Sequence, residues 1–243
     1  MKKISLLKSA FLLFAAGSLV VSCSKDDDND SQQGITEEEA AEVAQRSVDP
    51  ASGGVVAQLN TSVTIAASAS FLGPANCGVQ KTNNYSGSST QGATISYAYS
   101  YGWNWTLTCA GTQPQRFDFA YSGSAGYDGP RIATSGSTAA TANITGLESS
   151  ASQYVVNTSY EHNGNTTSKI GNKNSFTSKV QISSANINID KVTRKIQSGS
   201  AAVTITGSTT QGSSFNYNGT IVFNGNNTAT VTLNSNQTYA VQW

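Results

Sequence analysis

The stretch VTITGSTTQGSSFNYNGTIVFNGNNTATVTLN, residues 203–234, decides the fold. Apolar residues alternate with Ser, Thr and Asn, the period at which strand side chains change faces. Gly207–Gly212 and Asn224-Gly225-Asn226-Asn227 interrupt the alternation with turn residues, and Asn234–Asn236 ends it. Links this short make successive strands antiparallel neighbours. The same grammar runs from about residue 79 to the C-terminus. Asn163-Gly164 sits between two alternating runs and reads as a tight hairpin. Asp190-Lys191 separates Ile187–Ile189 from Val192–Ile196, and no proline lies beyond Pro130 to break the sheet. The expected fold is mainly β, an antiparallel meander forming a curved sheet or a two-layer sandwich, preceded by one or two N-terminal helices.

Composition supports this reading. Ser, Thr and Asn supply 83 of 243 residues and there are 22 Gly, a usage that favours turns and solvated strands over long helices. Only 12% of residues are charged and the formal net charge is zero, which excludes a helical bundle, a coiled coil and a basic nucleic-acid binder. One His and 14 acids leave little material for acid–base or metal chemistry, so neither a metal nor a cofactor is expected.

One or two helices are expected before the sheet. Thr36 and Glu39 form a capping box with Ile35 as a staple, three acids open the first turn, and Asp49-Pro50 ends the helix after Val48. Its apolar face (Ala40, Val43, Ala44) is thin, which suggests a spacer or a weakly docked helix. Residues 55–71 fit both helical and strand spacing, and the absence of Gly and Pro favours helix.

Ahead of these lies an address. Residues 1–22 read as an export signal: Lys2, Lys3 and Lys8 precede an apolar stretch from Phe11 to Val21 that is too short to span a bilayer. Residues 23–50 carry two bases against nine acids, an acidic tether with a short helix, and residues 51–243 carry nine bases against five acids, a mildly basic β-rich body. The bases are spread along the chain, which does not support nucleic-acid binding. In an oxidising compartment Cys77 and Cys109 are expected to pair, and closing about 33 residues would stabilise by roughly 3–4 kcal/mol on the chain-entropy model.

The segment ISYAYSYGWNWTLTC, residues 95–109, is the candidate for function. Tyr97, Tyr99, Tyr101, Trp103 and Trp105 all fall on one face of a strand, with a kink at Gly102 an open alternative. Such a stripe is either core or an exposed platform on which sugar rings or apolar ligands stack. A mixed case buries the two Trp near the disulfide and leaves the three Tyr at a rim. His162, beside the Asn163-Gly164 turn, is expected in solvent. Asp118, Asp128, Glu148 and Asp190 show no local pairing of the kind glycosidases need, and no GxSxG elbow is present. The residues therefore argue against an enzyme. Tyr239–Trp243 reads as an edge or closing strand.

Val20-Val21-Ser22-Cys23 resembles a bacterial lipobox, which implies cleavage before Cys23, lipid attachment to its thiol and acylation of the new amine. Ser24-Lys25-Asp26-Asp27-Asp28 resembles the export tag of Bacteroidota surface lipoproteins, which implies the outer face of the outer membrane. With 36–48, NITGLESSASQYVVNTSYEHNG at 143–164 and residues 203–234, the chain resembles β-rich Bacteroidota lipoproteins, a likeness that carries over no activity and no catalytic residues. The expected role is non-catalytic binding of a glycan, matrix or surface-protein partner. The alternatives are a carrier or sensor of an apolar ligand, and a purely structural envelope protein.

Overall fold

The computed structural model describes residues 34–68 and 73–243, so the expected export signal and Cys23 lie outside the described residues. The alternating runs form one ten-stranded antiparallel sheet in strict sequence order. Its strands are β1 (Gln80–Ser88), β2 (Ser96–Ala110), β3 (Gln113–Asp128), β4 (Ile132–Thr145), β5 (Gln153–Ser168), β6 (Ser175–Asp190), β7 (Ile196–Thr209), β8 (Ser214–Gly225), β9 (Thr228–Leu233) and β10 (Thr238–Gln242). The meander is as expected, and a curved single sheet replaces the sandwich alternative. β10 pairs with β9 alone and is an edge strand.

Helix α1 spans Glu37–Val48 and α2 spans Val55–Ala66, joined through a 3-10 turn at Pro50–Ser52. The capping box is formed: Glu39 N–H donates to Thr36 Oγ1 at 3.2 Å and Thr36 N–H donates to Glu39 Oε2 at 2.9 Å. The expected helix at 55–71 thus ends at Ala66.

The helix at 37–48 is part of the core, which corrects its reading as a weakly docked spacer on a tether. Ala40, Ala41, Val43, Ala44 and Val48 are buried, and α1 lies against β6, β7, β9 and β10. Small alanines let the helix approach the sheet closely, and its acids find partners across the fold. Arg131 pairs with Glu42 at 2.7 Å and Glu38 at 2.9 Å, Arg46 pairs with Asp49 at 2.7 Å, and Asn174 N–H donates to the fully buried Glu39 at 3.2 Å.

These contacts require a strongly curved sheet. In a flat sheet β4 and β10 would stand about 29 Å apart at the usual strand spacing. Yet Arg131 at the start of β4 and Ala240 of β10 both bond to α1, the latter accepting from Gln45 Nε2 at 2.7 Å. The strands must wrap the helix. Glycine permits the bend: Gly136 and Gly164 face each other on β4 and β5, and a Cβ on Gly164 would stand 2.6 Å from the Ser135 carbonyl oxygen of the next strand. Bulges after Thr108, Val156 and Ala185 add further twist.

Two sequence readings fail here. Asn163-Gly164 is no hairpin. Both residues lie inside β5 and pair with β4 and β6, because the glycine serves sheet curvature rather than a turn. Val192 is not in a strand: Asp190 accepts from the backbone N–H groups of Val192 and Thr193, holding a turn that delays β7 to Ile196.

Candidate functional site

The sheet has a buried inner face and an outer face dominated by hydroxyls and amides. Ser100, Ser124, Ser137 and Asn163 form one outer row across four strands. Outer charges are paired: Arg116 with Asp118 at 2.8 Å and Lys179 with Glu161 at 2.9 Å. The aromatic stripe lies on the inner face. All five rings share that face, and β2 keeps register through Gly102 and slips only at Thr108/Cys109. The Cys77–Cys109 disulfide closes beside this slip, with Cα atoms 5.6 Å apart.

Exposure divides the stripe. Tyr101 is buried at 4% exposure, whereas Tyr97, Tyr99, Trp103 and Trp105 are half-buried. Tyr101 is therefore core and cannot meet an external ligand. Tyr97, Tyr99 and Tyr101 stack along the strand, with ring centroids 5.9 and 5.5 Å apart and planes within 9°. They spend their faces on each other, and the Tyr101 hydroxyl is buried. Burial, followed by the neighbouring Tyr85 hydroxyl, pushes the Tyr99 pKa up to about 12.

Sequence reasoning missed Tyr85. It stands on edge strand β1, 49% exposed, and stacks on Tyr99 at 5.4 Å and against Trp103 at 5.2 Å. The run QKTNNYSGS lacks clean alternation, so nothing local marked its single ring. The register supplies the reason: Gly87 lies opposite Tyr99, and without a side chain there the Tyr99 ring crosses β1 to reach Tyr85.

At the Tyr97 end an open groove of about 530 Å³ runs over β2 to β5. Tyr97, Tyr127, Asp128, Asn165 and Thr167 line it, and the small residues Ala98, Gly126 and Ala133 give it depth. Asp128, Asn165 and Thr167 stand on the outer face, opposite to the rings of Tyr97 and Tyr127, so the groove offers a carboxylate, an amide and a hydroxyl in a volume suited to a small ligand. Lys169 pairs with Asp128 at its rim.

His162 is not in solvent. It is buried at 6% exposure on the inner face of β5, where its Nδ1 lies 2.9 Å from Thr138 Oγ1 and its Nε2 3.4 Å from Thr134 Oγ1. Burial lowers its pKa, so it is neutral, with one ring nitrogen donating and the other accepting. The adjoining cavity, lined also by Arg46, Ser47, Tyr127 and Tyr160, measures about 20 Å³, room for one water. Of the acids singled out from sequence, Asp118 and Asp190 serve local structure. Asp118 bonds Arg116, Thr108 and Asn143, and Asp190 holds its turn. Among the described residues no three His, Cys, Asp or Glu gather as a metal site, and no helix is long and apolar enough to cross a membrane.

Comparison with family models, with curated proteins and with solved structures returned no match for this chain.

Proposed function

We propose that this chain is a non-catalytic binding protein, lipid-anchored through Cys23 at the outer face of the outer membrane, that takes a neutral polyhydroxylated ligand of the glycan class. The observation that carries the reading is the groove at the Tyr97 end of the stripe. There Asp128, Asn165 and Thr167 gather on the outer face as groups that accept from and donate to hydroxyls. Its residues are fixed on four paired strands, so little ordering is needed on binding. The site moves from the rings of the stripe to the polar groups on the outer face beside Tyr97, since the rings stand on the inner face and Tyr101 is buried. The interior cavity beside His162 is water-sized and gives no support to a carrier of apolar ligands.

A glycan array with the purified chain tests the reading. Reproducible binding lost in both Asn165→Ala and Asp128→Asn, with unchanged circular dichroism, supports it. A silent array, or binding indifferent to both substitutions, removes the groove as the site. Anchoring is tested separately by labelled fatty-acid incorporation, which Cys23→Ser should abolish.

A further inference from the structure

We infer that Tyr85 and Tyr99 form an oxidative cross-linking site, at which peroxide and a haem peroxidase join the two rings into an intramolecular dityrosine. The inference is independent of glycan binding and rests on how the β1–β2 edge is built.

The two residues come from different strands, so their rings approach across the ladder rather than side by side along it. Their centroids are 5.4 Å apart with planes 26° from parallel. Their hydroxyl groups are neighbours. A phenoxyl radical carries much of its spin on the ortho carbons, which adjoin the hydroxyl in each ring. Tyr85 is half exposed on the outermost strand, within reach of a small oxidant. The approach is enforced by Gly87, because a Cβ there would collide with the Tyr99 ring. Cys77 and Cys109, in the same hairpin, are already joined and supply no thiol to quench a radical. The tyrosine neighbours on β2 are arranged differently: Tyr97 and Tyr101 stack on Tyr99 with planes within 9° along a single strand, and Tyr101 is buried.

The chemistry balances with hydrogen peroxide as the sole oxidant consumed. Each phenol gives up one electron and its hydroxyl proton, leaving two phenoxyl radicals. A carbon–carbon bond forms between the ortho positions. Each ring then moves the displaced ortho hydrogen to its oxygen and regains aromaticity. Two tyrosines and one peroxide give one dityrosine and two waters. Because the partners already touch, coupling within a chain outruns encounter between chains. The product ties the middle of the edge strand to β2, and the disulfide ties the end of the same hairpin.

The test uses the full chain in detergent, treated with hydrogen peroxide and a haem peroxidase. The monomer should lose the mass of two hydrogens and gain blue dityrosine emission. Proteolysis should release one cross-linked peptide carrying both Tyr85 and Tyr99. Tyr85→Phe should reduce monomer emission to that of untreated protein, while Tyr239→Phe should leave it unchanged. Gly87→Ala keeps both phenols, and Gly87 has no positive φ for the change to strain. It displaces the Tyr99 ring and should lower the monomer yield several-fold. The inference is overturned if the product is only intermolecular, if Tyr85→Phe still cross-links internally, or if Gly87→Ala reacts like the parent.

Discussion

The inner face of the sheet is built in two ways. Across β6 to β9 it is led by Val180, Ile182, Ile187, Ile189, Val203, Ile205, Ile221 and Val231, all buried, with α1 lying over β6, β7 and β9. Across β1 to β3 it is led by Tyr85, Tyr99, Trp103, Phe119 and Tyr121, whose ring centroids lie 5.2 to 6.4 Å apart in a continuous series. An aliphatic side chain leaves water only when another element is laid on it. Aromatic rings standing on a sheet cover one another, and tyrosine keeps a tip that tolerates water. Beyond the reach of the helix the chain therefore changes chemistry, and the edge remains ordered while half exposed. That half-exposure makes the edge available to ligands and oxidants.

The comparison is broken most strongly at its aliphatic side. Ile205→Ala removes a fully buried side chain at a site already filled by its neighbours and should cost about 2–5 kcal/mol in denaturant unfolding. On the aromatic side, Cys77→Ser with Cys109→Ser releases the β1–β2 hairpin and should cost about 2–4 kcal/mol by the same measurement. The aromatic side should also fail first in alkali. Burial pushes the Tyr101 pKa up to about 12 and raises that of Tyr121 well above 10.0. Both phenols are easier to ionise in the unfolded chain. Their contribution is complete below pH 10 and is lost as the pH rises from there through the folded values, as tyrosinate absorbance should follow.

Two smaller effects sharpen the contrast. His162 is the chain's single histidine and burial lowers its pKa from 6.5. The unfolded chain takes up this proton first. Stability is therefore full above pH 6.5 and declines as the pH falls from there through the folded value. His162→Gln should flatten that part of the melting-temperature profile. Smallest is Tyr85→Ala, which removes a ring from the exposed end of the series and should cost about 0.5–1.5 kcal/mol. A cost near that of Ile205→Ala would mean the edge is ordinary core.

The elements legible from sequence were those fixed by local chemistry. Thr36 and Glu39 announced the start of α1 because a capping box is complete within four residues. The turns at 224–227 and 234–236 announced the meander because their residues tolerate turn geometry and the flanking runs alternate. The failures share a cause. Asn163-Gly164 has the composition of a turn, but Gly164 answers to Ser135 on another strand. The docking of α1 depends on Arg131 and Asn174, 93 and 135 residues distant from their partners Glu38 and Glu39. Tyr85 enters the site only because Gly87 stands opposite Tyr99. Half of the candidate site, the alternation of β2, was written locally. The other half was written in register.

Strict sequence order has a consequence for assembly. Each strand pairs with its chain neighbours, so the sheet can zip from any hairpin with small loop-closure cost at each step, the low-contact-order route to a β fold. The N-terminal helix is the exception. Gln45 bonds to Ala240 and Ser235 donates to Glu37, sequence separations of 195 and 198. The first helix made is thus among the last elements to find its full set of partners. Completion of the core waits for the final strand, and a chain cut before β9 would hold a zipped sheet around an unfinished centre.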